Sequence, residues 1–191
     1  MTAFKECADI KTAEDLNLPE PECERHIIAA EPTSVQKELI QSLSERAEKI
    51  HNKQVKPNED NMLKVTTDGI KIGLDQRLVN PLLPDEPETK INLCVNNVFD
   101  IWKETAGERL TQVIFCDYST PKKDGTFNLY DDVKSKLTAK GIPEKEIAFI
   151  HDYEKPQDKE RLFEKVRSGE IRIVLGSTQK MGCLLYTSRC V

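Results

Sequence analysis

The sequence predicts an α/β fold on a parallel sheet, and three features of its second half carry that expectation. Three short apolar runs, residues 111–116 (TQVIFC), 146–150 (EIAFI) and 171–175 (IRIVL), have strand length and composition. Segments of helical period separate them. None of the runs alternates a polar face, so each is expected to be buried. Strands of that kind joined by helices need right-handed crossovers and a parallel sheet with helices on both faces.

Taken in order, residues 1–22 are polar and end in Leu-Pro-Glu-Pro-Glu, which extends and cannot continue a helix. Residues 25–30 (RHIIAA) are a short apolar run suited to a strand. Thr33 and Gln36 then form a capping box ahead of a helix that carries Val35, Leu39, Leu43, Ala47 and Ile50 on one side. Residues 52–90 are less regular. Met62 to Val65, Asp68-Gly69 and Leu74 to Val79 read as a turn followed by a short helix.

The stretch NPLLPDEP, residues 80–87, holds three prolines, reads as a linker and marks the expected domain boundary. That division gives a helical extension over 1–87, an α/β unit over 88–182 and a tail over 183–191. Asp85-Glu86 lacks the apolar strand that would precede the paired acids of a nucleotide site. Beyond the linker, Ile91, Cys94, Val95, Val98, Phe99 and Trp102 recur at helical spacing over 88–106, with Trp102 read as a core anchor. Residues 127–140 are a helix with Tyr130, Val133 and Leu137 inward, stopped by Gly141. Pro156 opens a further helix with Leu162, Phe163 and Val166, closed by Gly169.

Composition limits the function classes. The 191 residues are 32% charged, mean hydropathy is -0.54, and no apolar run approaches the ~18 residues of a membrane span. The amino terminus lacks the apolar stretch of a secretory signal, so a cytoplasmic location and no membrane partner are expected. A net charge of -5 argues against a strongly basic nucleic-acid-binding domain. It leaves room for a local cluster of lysines and backbone amides to hold phosphates. The six cysteines (Cys7, Cys23, Cys94, Cys116, Cys183 and Cys190) form no Cys-x-x-Cys pair, and His26, His51 and His151 fall at no zinc spacing. Reduced, mostly buried thiols and no metal site are expected.

Ligands of an open parallel sheet gather at the carboxyl ends of its strands. Three segments lie there: 117–123 (DYSTPKK), 151–153 (HDY) and 176–182 (GSTQKMG). The third offers Gly176, Ser177, Thr178, Gln179, Lys180 and Gly182, which together bring backbone N–H groups, hydroxyls and one cation. Those are the parts needed to hold phosphate oxygens. The same residues also make an ordinary polar turn with an N-cap, and spacing alone favours that reading. Ser119 and Thr120, with Lys122 and Lys123, repeat the pattern more weakly, and His151-Asp152 reads as a turn and cap. No Ser/His/Asp or Cys/His set is present, and no Gly-x-x-x-x-Gly-Lys-Ser/Thr loop or Gly-x-Gly-x-x-Gly fingerprint.

The runs QVIFCDYSTPKKDGTFNLYDDVKSKLTAKGIPEKEIAFIHD and KERLFEKVRSGEIRIVLGSTQKMG closely resemble the carboxy-terminal helicase domain of large Swi/Snf-like superfamily 2 proteins. Bacteria, phages and mobile elements carry these, often fused to an adenine-specific DNA methylase. SVQKELIQSLSERAEKI and DNMLKVTTDGIKIGLDQRLVNP resemble the stretch joining that family's two RecA-like lobes, so the resemblance covers roughly residues 1–182. It implies a RecA-like sheet preceded by a mainly helical interlobe segment. QVIFCDYSTP then corresponds to motif IV and GSTQKMG opens motif V. Ser119, Thr120, Ser177, Thr178 and Lys180 are thereby placed near a tracked DNA backbone, and Gly176, Gln179 and Gly182 in the ATP cleft between lobes. The implied partners are DNA, a first RecA-like lobe of the same polypeptide and a fused methylase, and the implied cofactors of the intact parent are ATP and Mg²⁺.

After Gly182 the sequence departs from the family pattern. Residues 183–191 (CLLYTSRCV) resemble translated adaptor sequence, and neither a phosphate loop nor the motif VI arginine is present. The chain alone is therefore expected to be inactive as an ATPase, with no catalytic residue of its own. Two other readings stay open: a stand-alone α/β interaction module with an acidic docking surface, and a small phosphate-binding enzyme using GSTQKMG alone.

Overall fold

The computed structural model of the chain describes residues 24–121 and 125–181. Expectations for residues 1–22, Lys122, Lys123, Gly182 and the 183–191 tail lie outside the described residues.

Two helices open the described residues. Helix α1, Ser34–His51, opens with the expected capping box: Thr33 Oγ1 accepts the Gln36 N–H, and Gln36 Oε1 accepts the Thr33 N–H. Gln36 also donates from Nε2 to the Ile72 carbonyl at 2.7 Å, and Thr33 donates to Gln76 Oε1 at 2.9 Å. These bonds fix α1 against α2, Met62–Leu74. At the other end Arg46 reaches Asp60 at 2.7 Å and Asp68 at 2.9 Å, so the two helices run antiparallel.

The expected turn at Asp68-Gly69 is instead the interior of α2. Asp68 is held by Arg46 at 2.9 Å, and Gly69 faces Leu43 of α1. The expected strand at 25–30 is absent too: those residues form neither strand nor helix, and Ile27 and Ile28 are exposed. Six apolar-leaning residues cannot form a strand without a neighbour to pair with.

After a single 3₁₀ turn, Gln76–Leu78, residues 80–87 contain no helix or strand. Arg77 on one side of that stretch forms a fork with buried Asp75 and with Asp132 beyond it. Asp85 within the stretch lies 2.8 Å from Lys136 and 3.2 Å from Arg77.

The second half is α/β with a small parallel sheet. Helix α3 (Lys90–Glu104) is followed by β1 (Gln112–Phe115), α4 (Leu129–Ala139), β2 (Ile147–Phe149), α5 (Pro156–Arg167) and β3 (Ile173–Gly176). The strand order is β1-β3-β2, with Gln112 and Ile147 both in register with Ile173. Two apolar clusters draw on alternate residues of the strands. Ile147, Phe149, Ile173 and Leu175 pack with α3 and α4, while Ala148 and Val174 pack with Leu162 of α5. Trp102 anchors the first cluster and donates from Nε1 to Glu146 Oε2 at 2.8 Å.

The amino ends of the strands are stitched by buried charge. Arg172, 1% exposed, donates to the carbonyls of Trp102 and Leu110 and to Thr105 Oγ1. Glu146, expected to begin β2, is drawn into a 3₁₀ turn where it also meets Arg109. The expectation that all three strands are buried fails at β1, whose Val113 and Phe115 are exposed. Nothing among the described residues covers that side of the strand.

Candidate functional site

The carboxyl ends of β1 and β3 are adjacent because the two strands pair in parallel, Phe115 beside Gly176. The chain leaves β1 at Cys116-Asp117 and leaves β3 at Ser177-Thr178, so the two exits meet. Asp117 Oδ1 accepts the Thr178 N–H at 2.6 Å, and Asp117 Oδ2 accepts the Thr178 hydroxyl at 2.9 Å. A helical turn begins at Thr178, and Ser177 caps it by accepting the Lys180 N–H at 3.3 Å. Asp117 thus places a carboxylate against the first amides of that turn, where an anion is electrostatically favoured.

Behind this contact the β1 exit is pinned by Tyr130, whose hydroxyl donates to the Cys116 carbonyl at 2.6 Å. Burial, with Cys116 and Asp117 nearby, pushes the Tyr130 phenol far above its ordinary range. His151, just past β2, stacks edge-on against the Tyr130 ring at 5.2 Å, and its Nδ1 has no hydrogen-bond partner. Burial, together with the Lys180 ammonium, lowers the His151 pKa below its usual value of 6.5. Cys94 and Cys116 are free and half-buried, and burial raises both thiols. They share a mainly apolar cavity of about 390 Å³ with Leu74, Ile114 and Tyr130.

The sequence-predicted residues fall into distinct roles. Ser177, Thr178, Gln179 and Lys180 form one polar turn, with Gln179 and Thr178 exposed. Lys180 makes no ion pair among the described residues and is the cation of this edge. Gly176 ends β3 with no room for a side chain: an added Cβ would lie 2.5 Å from Ile150 and 2.6 Å from the Met181 sulfur. Ser119 sits across the β1 exit at φ +58°, and its hydroxyl accepts the Leu129 N–H at 3.0 Å, steadying the start of α4. Thr120 is half-buried beside it.

Sequence reasoning missed Asp117 as a member of the site, although its place directly after a strand was a usable signal. It also read His151-Asp152 as a turn, and a 3₁₀ turn over Ile150–Asp152 is what forms. Sequence alone gave no sign that the His151 ring lies against Tyr130.

Chemically, the edge offers one ammonium, one exposed amide side chain and a row of backbone groups around a fixed carboxylate. Among the described residues no group of three or more His, Cys, Asp or Glu side chains could hold a metal ion. No helix of the described residues is long and apolar enough to cross a membrane. Comparison with protein-family models, with curated proteins and with solved structures finds no match to this chain.

Proposed function

We propose that the chain supplies the second RecA-like lobe of an ATP-driven DNA helicase or translocase, one side of a cleft that another lobe completes. The observation that carries this reading is the meeting of the β1 and β3 exits through Asp117 and Thr178. In this reading the segment after the first strand and the segment after the third face the cleft side by side. The fork from the Thr178 hydroxyl and amide onto the Asp117 carboxylate holds the two segments together. The two apolar clusters on alternate strand residues support a sheet covered by helices on both faces.

The residues present do not fit a triphosphate by themselves. The Thr178 N–H and hydroxyl are taken by Asp117, and the Ser177 hydroxyl accepts the Lys180 N–H. What remains is Lys180 and Gln179, enough to contact a phosphodiester from one side. Such contacts read backbone and not base, which suits a motor indifferent to sequence. ATP and Mg²⁺ would have to be held by the first lobe.

The test is fluorescence anisotropy with a labelled single-stranded oligothymidylate across a salt series. Weak, salt-dependent binding is expected, and Lys180→Ala should lower the log–log salt slope by about 0.7, the value for one lost contact to a single strand. No salt-dependent binding, or an unchanged slope in Lys180→Ala, would remove the support for this reading.

A further inference from the structure

The three strands end side by side. β3 lies between β1 and β2, with Phe115 in register with Gly176 and Phe149 with Leu175. The turn after β3 therefore has two flanks. On one, Asp117 holds Thr178. On the other, Ile150 packs against Gly176, so close that an added Cβ would lie 2.5 Å from it. That contact sets the next residue, His151, beside the same turn.

His151 is the group at this edge whose chemistry the site has not yet used. Its ring is fixed edge-on against Tyr130 at 5.2 Å. Nδ1 is buried and has no hydrogen-bond partner, a state that costs stability unless some form of the molecule uses it. Among the described residues three titratable groups face the ring: the Lys180 ammonium of the β3 turn, the Asp152 carboxylate next in the chain and the Tyr130 phenol of α4. Burial and then Lys180 hold the imidazole neutral at pH 7, against the weaker pull of Asp152. A phosphate settling against Lys180 reverses that balance, because its negative charge offsets the ammonium and favours the imidazolium.

We propose that His151 is a second cation of this edge, taking up a proton as a phosphate group settles against Lys180, so that the grip tightens as pH falls. The inference rests on the motor reading for the source of that phosphate, a nucleic-acid backbone, and adds its regulation by protons. The coupling is reciprocal: protonation strengthens phosphate binding by the same factor by which phosphate strengthens the hold of His151 on its proton. Two cations sharing one phosphate should give a factor on the order of tenfold.

Fluorescence anisotropy with a labelled oligothymidylate at fixed ionic strength, from about pH 8 to about pH 5, tests the first half of that statement. Neither thymine nor the phosphodiester titrates over this range, and circular dichroism at each pH establishes that the chain stays folded. Affinity should rise on the order of tenfold as pH falls, and His151→Gln should lose the rise. Lys180→Ala should bind more weakly throughout and keep a rise displaced to higher pH, because the ammonium that opposed the imidazolium is gone. Proton NMR of the His151 ring in the wild-type chain tests the second half: bound oligothymidylate should raise its pKa by the matching factor. Sodium sulfate, which does not titrate here either, separates this inference from the motor reading. A His151 pKa raised by sulfate in a chain that binds no oligothymidylate supports the cation pair and removes the nucleic acid as its ligand. Oligothymidylate binding that ignores pH, a rise that survives in His151→Gln, or a His151 pKa unmoved by either anion overturns the proposal.

Discussion

Removing the Arg77 guanidinium should be strongly destabilising. Its Nε and Nη2 donate to Asp75 at 3.0 and 2.6 Å, and Nη1 and Nη2 donate to Asp132 at 3.1 and 2.9 Å. The Asp75 side chain is 0% exposed and that of Asp132 is 13% exposed. In Arg77→Ala the Asp75 carboxylate is left buried without its partner, a change that typically costs ~3–5 kcal/mol. For a chain of this length each kcal/mol moves Tm by roughly 2–4 °C, so a fall of roughly 6–20 °C is expected. Differential scanning calorimetry of the single variant and of Asp75→Asn/Arg77→Met supplies the check. The double variant removes both charges and should recover part of the loss. A shift in Arg77→Ala below about 3 °C, or a double variant no better than the single, would refute the reasoning.

Gly176→Ala should destabilise the sheet by about 1–3 kcal/mol through overpacking, because its Cβ would press on Ile150 and Met181; chemical denaturation measures it, and a neutral result contradicts the packing. His151 gives a pH dependence whose sign is fixed. Its pKa is lowered in the folded chain by burial and then by Lys180, so the unfolded chain binds the proton more readily. The stability it contributes is full above the unfolded value of 6.5 and is lost as pH falls through the folded one. Denaturation midpoints should drop over that window, and His151→Gln should flatten the drop; an unchanged profile in the variant argues against it. Cys94 and Cys116, raised by burial, should react with a maleimide more slowly than a free thiol at neutral pH, followed by intact-mass kinetics.

Much of the second half was legible because its elements are punctuated. The strand runs, Gly169 at φ +71° and the Pro156 start each follow from a local rule. The failures were failures of context. Residues 25–30 have strand composition but pair with no strand among the described residues. Asp68-Gly69 has turn composition, yet it lies inside α2, where Arg46 of α1 holds Asp68. β1 has the composition of a buried strand, and burial depends on what lies alongside it, which a local run cannot specify. At the site, the strand tips were foreseeable from topology. The Asp117–Thr178 fork was not, since it joins residues 61 positions apart.

The claim everything depends on is that the turn after β3 and the loop after β1 present one shared surface to a nucleic-acid backbone. Amide chemical-shift mapping of the ¹⁵N-labelled chain during titration with a single-stranded oligothymidylate tests it directly. The account predicts shifts concentrated at Asp117 to Thr120 and Ser177 to Lys180, moving together along one binding curve. Shifts spread over α1 and α2, or none at those strand exits, would contradict it.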